Sequence, residues 1–411
     1  MASGERAVTC CVAGGGPAGM MLGLLLARAR VSVLVIEKHA DFLRDFRGDT
    51  IHPSTLELMH ELGLLEDFLA LPHQEVPRLI AQFGDRTMPI ADFTHLPTRC
   101  RFIALMPQWD FLDFLARQAS RYPTFQLLME TEATGLIEET GRVRGVRATG
   151  PDGRLDVRAD LVVAADGRAS VLRERAGLQV DDLGAPMDVL WFRLSRRPTD
   201  PDATMGRFDV GRIFVLLNRG EHWQCGYVIA KGAADEIRRR GLDAFRAAVS
   251  ALMPFAADRV GEISGWDDVK LLTVKVDRLR QWHRPGLLCI GDAAHAMSPV
   301  GGVGINLAIQ DAVAAANRLW HPLRDGTVGD EHLRRVQRRR EWPTRVTQWL
   351  QVVVQRRLVS QALGGGPLRL PLFVRLLARY PVVRRLPARV VGVGIRAEHI
   401  ETPAATPGVP A

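Results

Sequence analysis

Residues 7–20 read AVTCCVAGGGPAGM, and this stretch decides the fold. Residues 7–13 are apolar, small or β-branched, the pattern of a strand buried on both faces. The glycines at 14, 16 and 19 follow at once, and residues 20–29 continue as an apolar, helix-like run. In such a loop Gly14 permits a tight turn, Gly16 lets the backbone approach a pyrophosphate, and Gly19 lets helix and strand pack closely. The helix N-terminus, begun by Pro17 and Ala18, offers free N–H groups and a positive dipole end to phosphates. A second buried strand, VSVLVI at 31–36, ends at Glu37, 23 residues after Gly14, where a carboxylate can accept from a ribose hydroxyl. Strand, glycine loop, helix, strand and acid together specify a dinucleotide-binding βαβ unit.

Working outward, the run DLVVAA at 160–165 reads as another buried strand and is followed by Asp166-Gly167. LLCI at 287–290 leads into GDAAHAMSPVGGVGIN at 291–306 and then into a helix. An aspartate at 292 can meet ribose or ribityl hydroxyls. Glycines at 301, 302 and 304 bare the backbone beside a flat ring, and a helix start favours negative charge there. Between these pieces the texture changes. VLWFRLS, RIFVLLN and HWQCGYVIA, within residues 188–230, are strand-like segments separated by polar turns, as in an antiparallel sheet. Beyond Trp320 the chain turns Arg- and Leu-rich and helix-like.

The 411 residues are 47% hydrophobic and 24% charged, which suits a globular chain with a large core. Five scattered cysteines, with no ligand-like spacing, predict neither a disulfide framework nor a metal site and fit a reducing cytoplasm. No run reaches the roughly 18 apolar residues that span a bilayer. The formal charge of +8 sits in the C-terminal region, where residues 321–411 hold 16 Arg, no Lys and 6 acidic residues. RRVQRRR at 334–340 therefore reads as a solvated helix face, and no nucleic-acid partner is expected.

In their order and spacing, GGGPAG, Asp166-Gly167 and GDAAHAMSPVGGVGIN resemble the class A flavoprotein monooxygenases of the para-hydroxybenzoate hydroxylase type, over residues 7–320. The resemblance implies tightly bound FAD, transient NAD(P)H, and O2 activation through a C4a-hydroperoxyflavin. It implies that Gly14, Gly16, Pro17, Ala18, Gly19, Glu37 and Lys38 hold the ADP half, with Arg47, Gln108 and Asp166 reaching the cofactor. It places Gly291 and Asp292 at the ribityl–pyrophosphate region and Pro299, Gly302, Gly304, Ile305 and Asn306 along the isoalloxazine. His295 in this motif orders its loop. The absence of a second dinucleotide fingerprint fits a nicotinamide that docks and leaves.

The expected fold is α/β: a Rossmann-like FAD-binding domain (residues 1–70, 98–177 and 270–330) with an inserted, mainly antiparallel β-sheet substrate domain (71–97 and 178–269). A helical C-terminal extension (331–401) and a disordered tail (402–411) complete it. A dry pocket for a mid-sized aromatic or polyketide-like substrate is expected between the inserted sheet and the glycine loop, lined by Phe214, Trp223, Pro299, Val300 and Gly301. His222 and Tyr227 are the candidates for a catalytic base. A reductase without oxygen insertion, such as a prenyl-chain reductase, shares the same loops, and so does a quinone-ring hydroxylase at a membrane. The basic C-terminal helices could touch such a surface, and the protein is expected as a monomer or homodimer.

Overall fold

The computed structural model describes residues 4–43, 50–201, 204–359 and 372–405. The opening run forms the strand Gly4–Ala13, and the helix Pro17–Arg28 returns the chain to the parallel strand Val33–Ile36. Proline suits that first helical position because its fixed φ is helical and no N–H is lost there. The helix is apolar on every side because the helices Gln108–Ala119 and Val303–Arg324 flank it above the sheet.

The sheet carries Leu287–Cys289, Gly153–Ala164, Gly4–Ala13, Val33–Ile36 and Phe125–Leu128 side by side and parallel. In register, Ala13 lies beside Ile36 and Ala164, and Ala164 beside Cys289. The three motifs and Glu37 thus emerge together at the carboxyl ends of adjacent strands, where open α/β sheets bind ligands. The hairpin Glu132–Glu139 and Arg142–Gly150 extends this sheet from Gly153–Ala164.

A second sheet of seven strands is built from residues 78–92, 187–230 and 270–272. It is antiparallel except where Met205–Asp209 runs parallel to Arg78–Phe83. One face of it packs on the helix Leu242–Leu252, burying Phe192, Phe214, Trp223, Cys225 and Phe245. The other face presents Met187, Val189, Trp191, Ile213 and Val228, and Val300 of the glycine loop packs against them.

C-terminally, the helix Asp330–Val354 lies along the nucleotide fold, and Leu372–Arg379 and Arg385–Gly392 cover the outer strands of the second sheet through Val374 and Ala388. Two expectations are corrected here. Arg340 is not part of a solvated face; it is 1% exposed, with a carboxylate on either side. Nor does a loose tail begin at 402. Thr402 is buried, its carbonyl accepts from Arg28 Nη1 at 2.8 Å, and Ala405 N donates to Arg28 O at 3.0 Å. The paired backbone and packed Thr402 hold this segment in spite of its proline- and alanine-rich composition.

Candidate active site

The dinucleotide loop is built by exclusion. A Cβ on Gly19 would stand 1.9 Å from the carbonyl oxygen of Gly14, so only glycine lets helix and strand approach this closely. At Gly16 nothing lies within 4 Å, leaving open space in front of the helix N-terminus. The first N–H groups of that helix lack intrahelical partners and point into this space. Glu37 ends the second strand nearly buried, its Oε2 accepting from Gly15 N at 2.9 Å and its Oε1 2.5 Å from His39 Nδ1. Burial pushes the Glu37 carboxyl up, but hydrogen bonds from His39 and Gly15 more than offset this and keep it ionised below the ordinary range. Lys38 points to solvent, and Arg47 lies outside the described residues.

Asp166 follows the third strand. Its Oδ2 accepts from Leu172 N at 3.3 Å, while Oδ1 is buried with no protein partner. Burial raises the Asp166 carboxyl above its usual range, against the opposing hydrogen bonds of Ser170 and the Leu172 amide. An unsatisfied buried acceptor is costly, and a hydroxyl donor of the ribityl or ribose type would satisfy it. Arg168 Nη2 reaches Asp292 Oδ2 at 3.4 Å, bridging the second motif to the third. Gln108 is half-buried and begins the helix that follows the short strand Ile103–Leu105.

The third motif is held by a buried ionic chain. Asp311, fully enclosed in the helix Val303–Arg324, accepts from Gly291 N at 3.1 Å and lies 2.5 Å from His295 Nε2. Arg340 Nε donates to the other Asp311 oxygen at 3.0 Å, and Arg340 Nη1 donates to Glu398 Oε1 at 3.2 Å. Burial pushes Asp311 up, yet the His295 and Arg340 charges hold it below the usual carboxylate range. His295 is thereby enclosed and tied to Asp311, which gives it a positioning place rather than contact with a reacting atom.

Residues 298–306 are pinned from two sides. Gln351 Nε2 donates to the carbonyls of Ser298 and Val300, both at 3.0 Å. Across the loop Thr50 Oγ1 donates to Gly302 O at 2.9 Å, and Asn306 Oδ1 accepts from His52 N and Thr55 Oγ1, both at 2.8 Å. Gly302 has φ +63, and a Cβ there would meet Thr50 Oγ1 at 2.4 Å. Pro299 and Gly301 stay exposed at the loop's crest, and Gly304 and Ile305 open the helix.

Sequence reasoning missed Thr50, His52, Thr55, Asp311, Arg340 and Gln351. One signal was available: an aspartate inside the apolar run IQDAVAAA must find partners if it is buried. His52 is fully buried, its Nδ1 donating to Val391 O at 2.8 Å. Burial lowers its pKa from 6.5 to about 4, outweighing the Val391 bond. The folded state therefore resists protonating His52. Its contribution is whole above pH 6.5 and is lost as pH falls toward 4, in total on the order of 3 kcal/mol. Chemical unfolding from pH 7 to 4 should show His52→Gln losing less stability than the parent; parallel curves would contradict this.

The pocket expectation needs correction on the inserted sheet. Phe214, Trp223 and Tyr227 point to the far face, Phe214 and Tyr227 packing beside Phe245 and Trp223 Nε1 donating to Asp200 at 3.0 Å. Strand pairing sets His222, Gln224, Gly226 and Val228 on the loop-facing side with Ser195, Arg193, Trp191 and Val189. His222 remains on the side that Val300 approaches, and Tyr227 does not.

The FAD binding domain model matches residues 7–350. The chain belongs to the FAD binding domain family. It is 34% identical to a 6-methylpretetramide 4-monooxygenase of Streptomyces rimosus over 382 residues, 92% of this chain and 91% of that one. The fold matches a p-nitrophenol 4-monooxygenase of Pseudomonas putida with TM-score 0.76 at 20% identity, covering 95% of this chain and all (100%) of that one. An anhydrotetracycline hydroxylase of Streptomyces rimosus aligns with TM-score 0.74 at 23% identity, over 96% and 77% of the two chains. The protein is an FAD-dependent monooxygenase of the class A type. The open space at Gly16, the lone acceptor of Asp166 and the loop beside Val300 fit that cofactor. Among the described residues, no helix is long and apolar enough to cross a membrane.

Proposed function

We propose that the enzyme uses NAD(P)H and O2 to hydroxylate a multi-ring aromatic of the polyketide type, in the cytoplasm. What carries this reading is the apolar wall of Met187, Val189, Trp191, Ile213 and Val228, onto which the pinned loop presents Val300. A flat, apolar ring system fits such a wall, and the similarity to a pretetramide monooxygenase over nearly the whole chain supports this substrate class. Bound FAD, once reduced, supplies the chemistry that activates O2 and transfers one oxygen atom.

This chain's residues do the rest. Gly14, Gly16, Gly19 and Glu37 hold the adenosine and pyrophosphate half, Asp166 and Asp292 take the sugar and ribityl hydroxyls, and residues 299–306 shape the ring site. The apolar wall excludes water, which protects a reactive oxygen from loss. His222 borders the wall with Arg193 and Gln224. Burial first, then the Arg193 and Arg219 charges, lower its pKa, which favours the neutral imidazole and leaves a ring nitrogen able to accept a hydrogen bond from a phenol.

Turnover of a tetracyclic phenolic substrate under 18O2 should place one labelled atom in the product, read by mass spectrometry. Product formed anaerobically, or without label, would sink the monooxygenase reading. Asp292→Ala should purify folded but largely colourless; normal flavin content would remove Asp292 from the cofactor site.

A further inference from the structure

Away from the cofactor loops, a trough of ≈ 570 Å3 runs along the outer side of the helix Asp330–Val354. Trp342, Val346 and Trp349 follow one another along one stripe of that helix, and the two tryptophans are 56% and 63% exposed. Arg345 from the same helix, Arg278 from the strand Asp277–Leu279 and Arg356 bring positive charge to the lining. A hollow of ≈ 180 Å3 shares Leu183, Val352 and Arg356 with it and continues to Ala185 and Pro186. Ala185 packs in the same apolar cluster as Met187, Trp191 and Val300, so the trough ends at the margin of the substrate wall.

The charge pattern here differs from the rest of the helix. About three turns earlier Glu331 meets Arg334, Arg335 and Arg338, as expected of a solvated face. Around the trough the nearest ion pair is Arg345 with Glu341 at 3.5 Å, and Arg278 Nη1 spends a hydrogen bond on the neutral Gln348 at 2.9 Å. Burial and then the Arg345 charge pull the Arg278 cation below its usual value, with the Glu341 and Asp181 carboxylates acting against them. Exposed indole faces beside three guanidinium groups, which outnumber the neighbouring carboxylates of Glu341 and Asp181, are the chemistry that stacks planar rings and pairs with their negative charges.

We propose that this trough is a peripheral capture site for a planar, anionic polycyclic aromatic, stacked on Trp342 and Trp349 and paired with Arg278, Arg345 and Arg356. The identity of the natural ligand rests on the substrate class proposed above; the site itself does not. From here a ring system of ionised phenols would pass by Leu183 and Ala185 toward the wall beside Val300.

The test uses the full-length FAD-loaded protein titrated with anthraquinone-2-sulfonate, followed by calorimetry and tryptophan quenching, with a neutral hydroxymethyl anthraquinone as comparison. Trp349→Ala and Arg345→Glu change exposed side chains, so thermal midpoint and flavin content should match the parent. Each should weaken sulfonate binding at least about tenfold, and the parent should prefer the sulfonate to the neutral ring. Equal affinity in parent and variants, or no preference for the anion, overturns the proposal. If no polyketide phenol is hydroxylated but the variants still lose the probe, the trough stands and the substrate assignment falls.

Discussion

Replacing Asp311 by Asn should cost about 3–5 kcal/mol of stability, the usual penalty for stripping one partner from a buried ionic group. Asp311 is fully enclosed and serves three donors at once: the Gly291 amide, His295 and Arg340. Removing its charge leaves the Arg340 guanidinium, 1% exposed, with Glu398 as its remaining carboxylate. Asn also offers one acceptor oxygen where the carboxylate offers two, so either Arg340 or the Gly291 amide, where the third motif turns, loses its partner. Flavin content should therefore fall together with the unfolding midpoint. Replacing both ends with apolar residues of similar size, as in the double variant Asp311→Leu/Arg340→Met, should cost less than the sum of the single changes. Additive losses would show that the two residues do not act as one buried pair.

Gly19→Ala is the second large effect. The added methyl would overlap the Gly14 carbonyl at 1.9 Å, and that oxygen belongs to the backbone, which cannot swing aside. The helix must shift away from the strand, taking its N-terminal amides out of line with the pyrophosphate. We expect FAD affinity to fall roughly hundredfold, near 3 kcal/mol at tenfold per 1.4 kcal/mol, together with lower stability of the flavin-free protein. Gly16→Ala separates the two causes. Nothing in the protein lies within 4 Å of its Cβ, so stability should hold while flavin binding is lost. Retained flavin in Gly16→Ala would mean that the cofactor does not pass in front of this helix.

The nucleotide half of the fold was legible in the sequence because its signals are local. Buried parallel strands are continuous apolar runs, and each ends in a turn whose residue types name their ligand. The inserted sheet was legible as strands, yet not in its orientation. Alternation tells which residues share a face; only the packing of Val300 against the cluster that holds Trp191 and Ile213 tells which face meets the loop. Choosing the larger aromatics misled, since Phe214 and Trp223 bury most area against a helix and so went to the core side. The Asp311–Arg340–Glu398 chain was illegible for another reason. Its members lie 29 and 58 residues apart in three elements, and RRVQRRR gives no hint that its last arginine turns inward. Thr50 and His52 were hidden likewise, because their worth lies in holding Gly302 and Asn306, some 250 residues away.

The segment holding His399 and Thr402 has a consequence for how the protein is made. It ties down the first helix through Arg28, the helix Val303–Arg324 through Asn317, and the ionic chain through Glu398. The glycine loop leaves the ribosome well before the strap that closes over it. A nascent chain ending at residue 390 would have every sheet strand of the described residues and Asp311, but not Glu398, the second carboxylate beside Arg340. The flavin groove would then mature only once Glu398 and Thr402 have emerged, and a chain cut before them would keep an open seam beside Arg340 and Arg28.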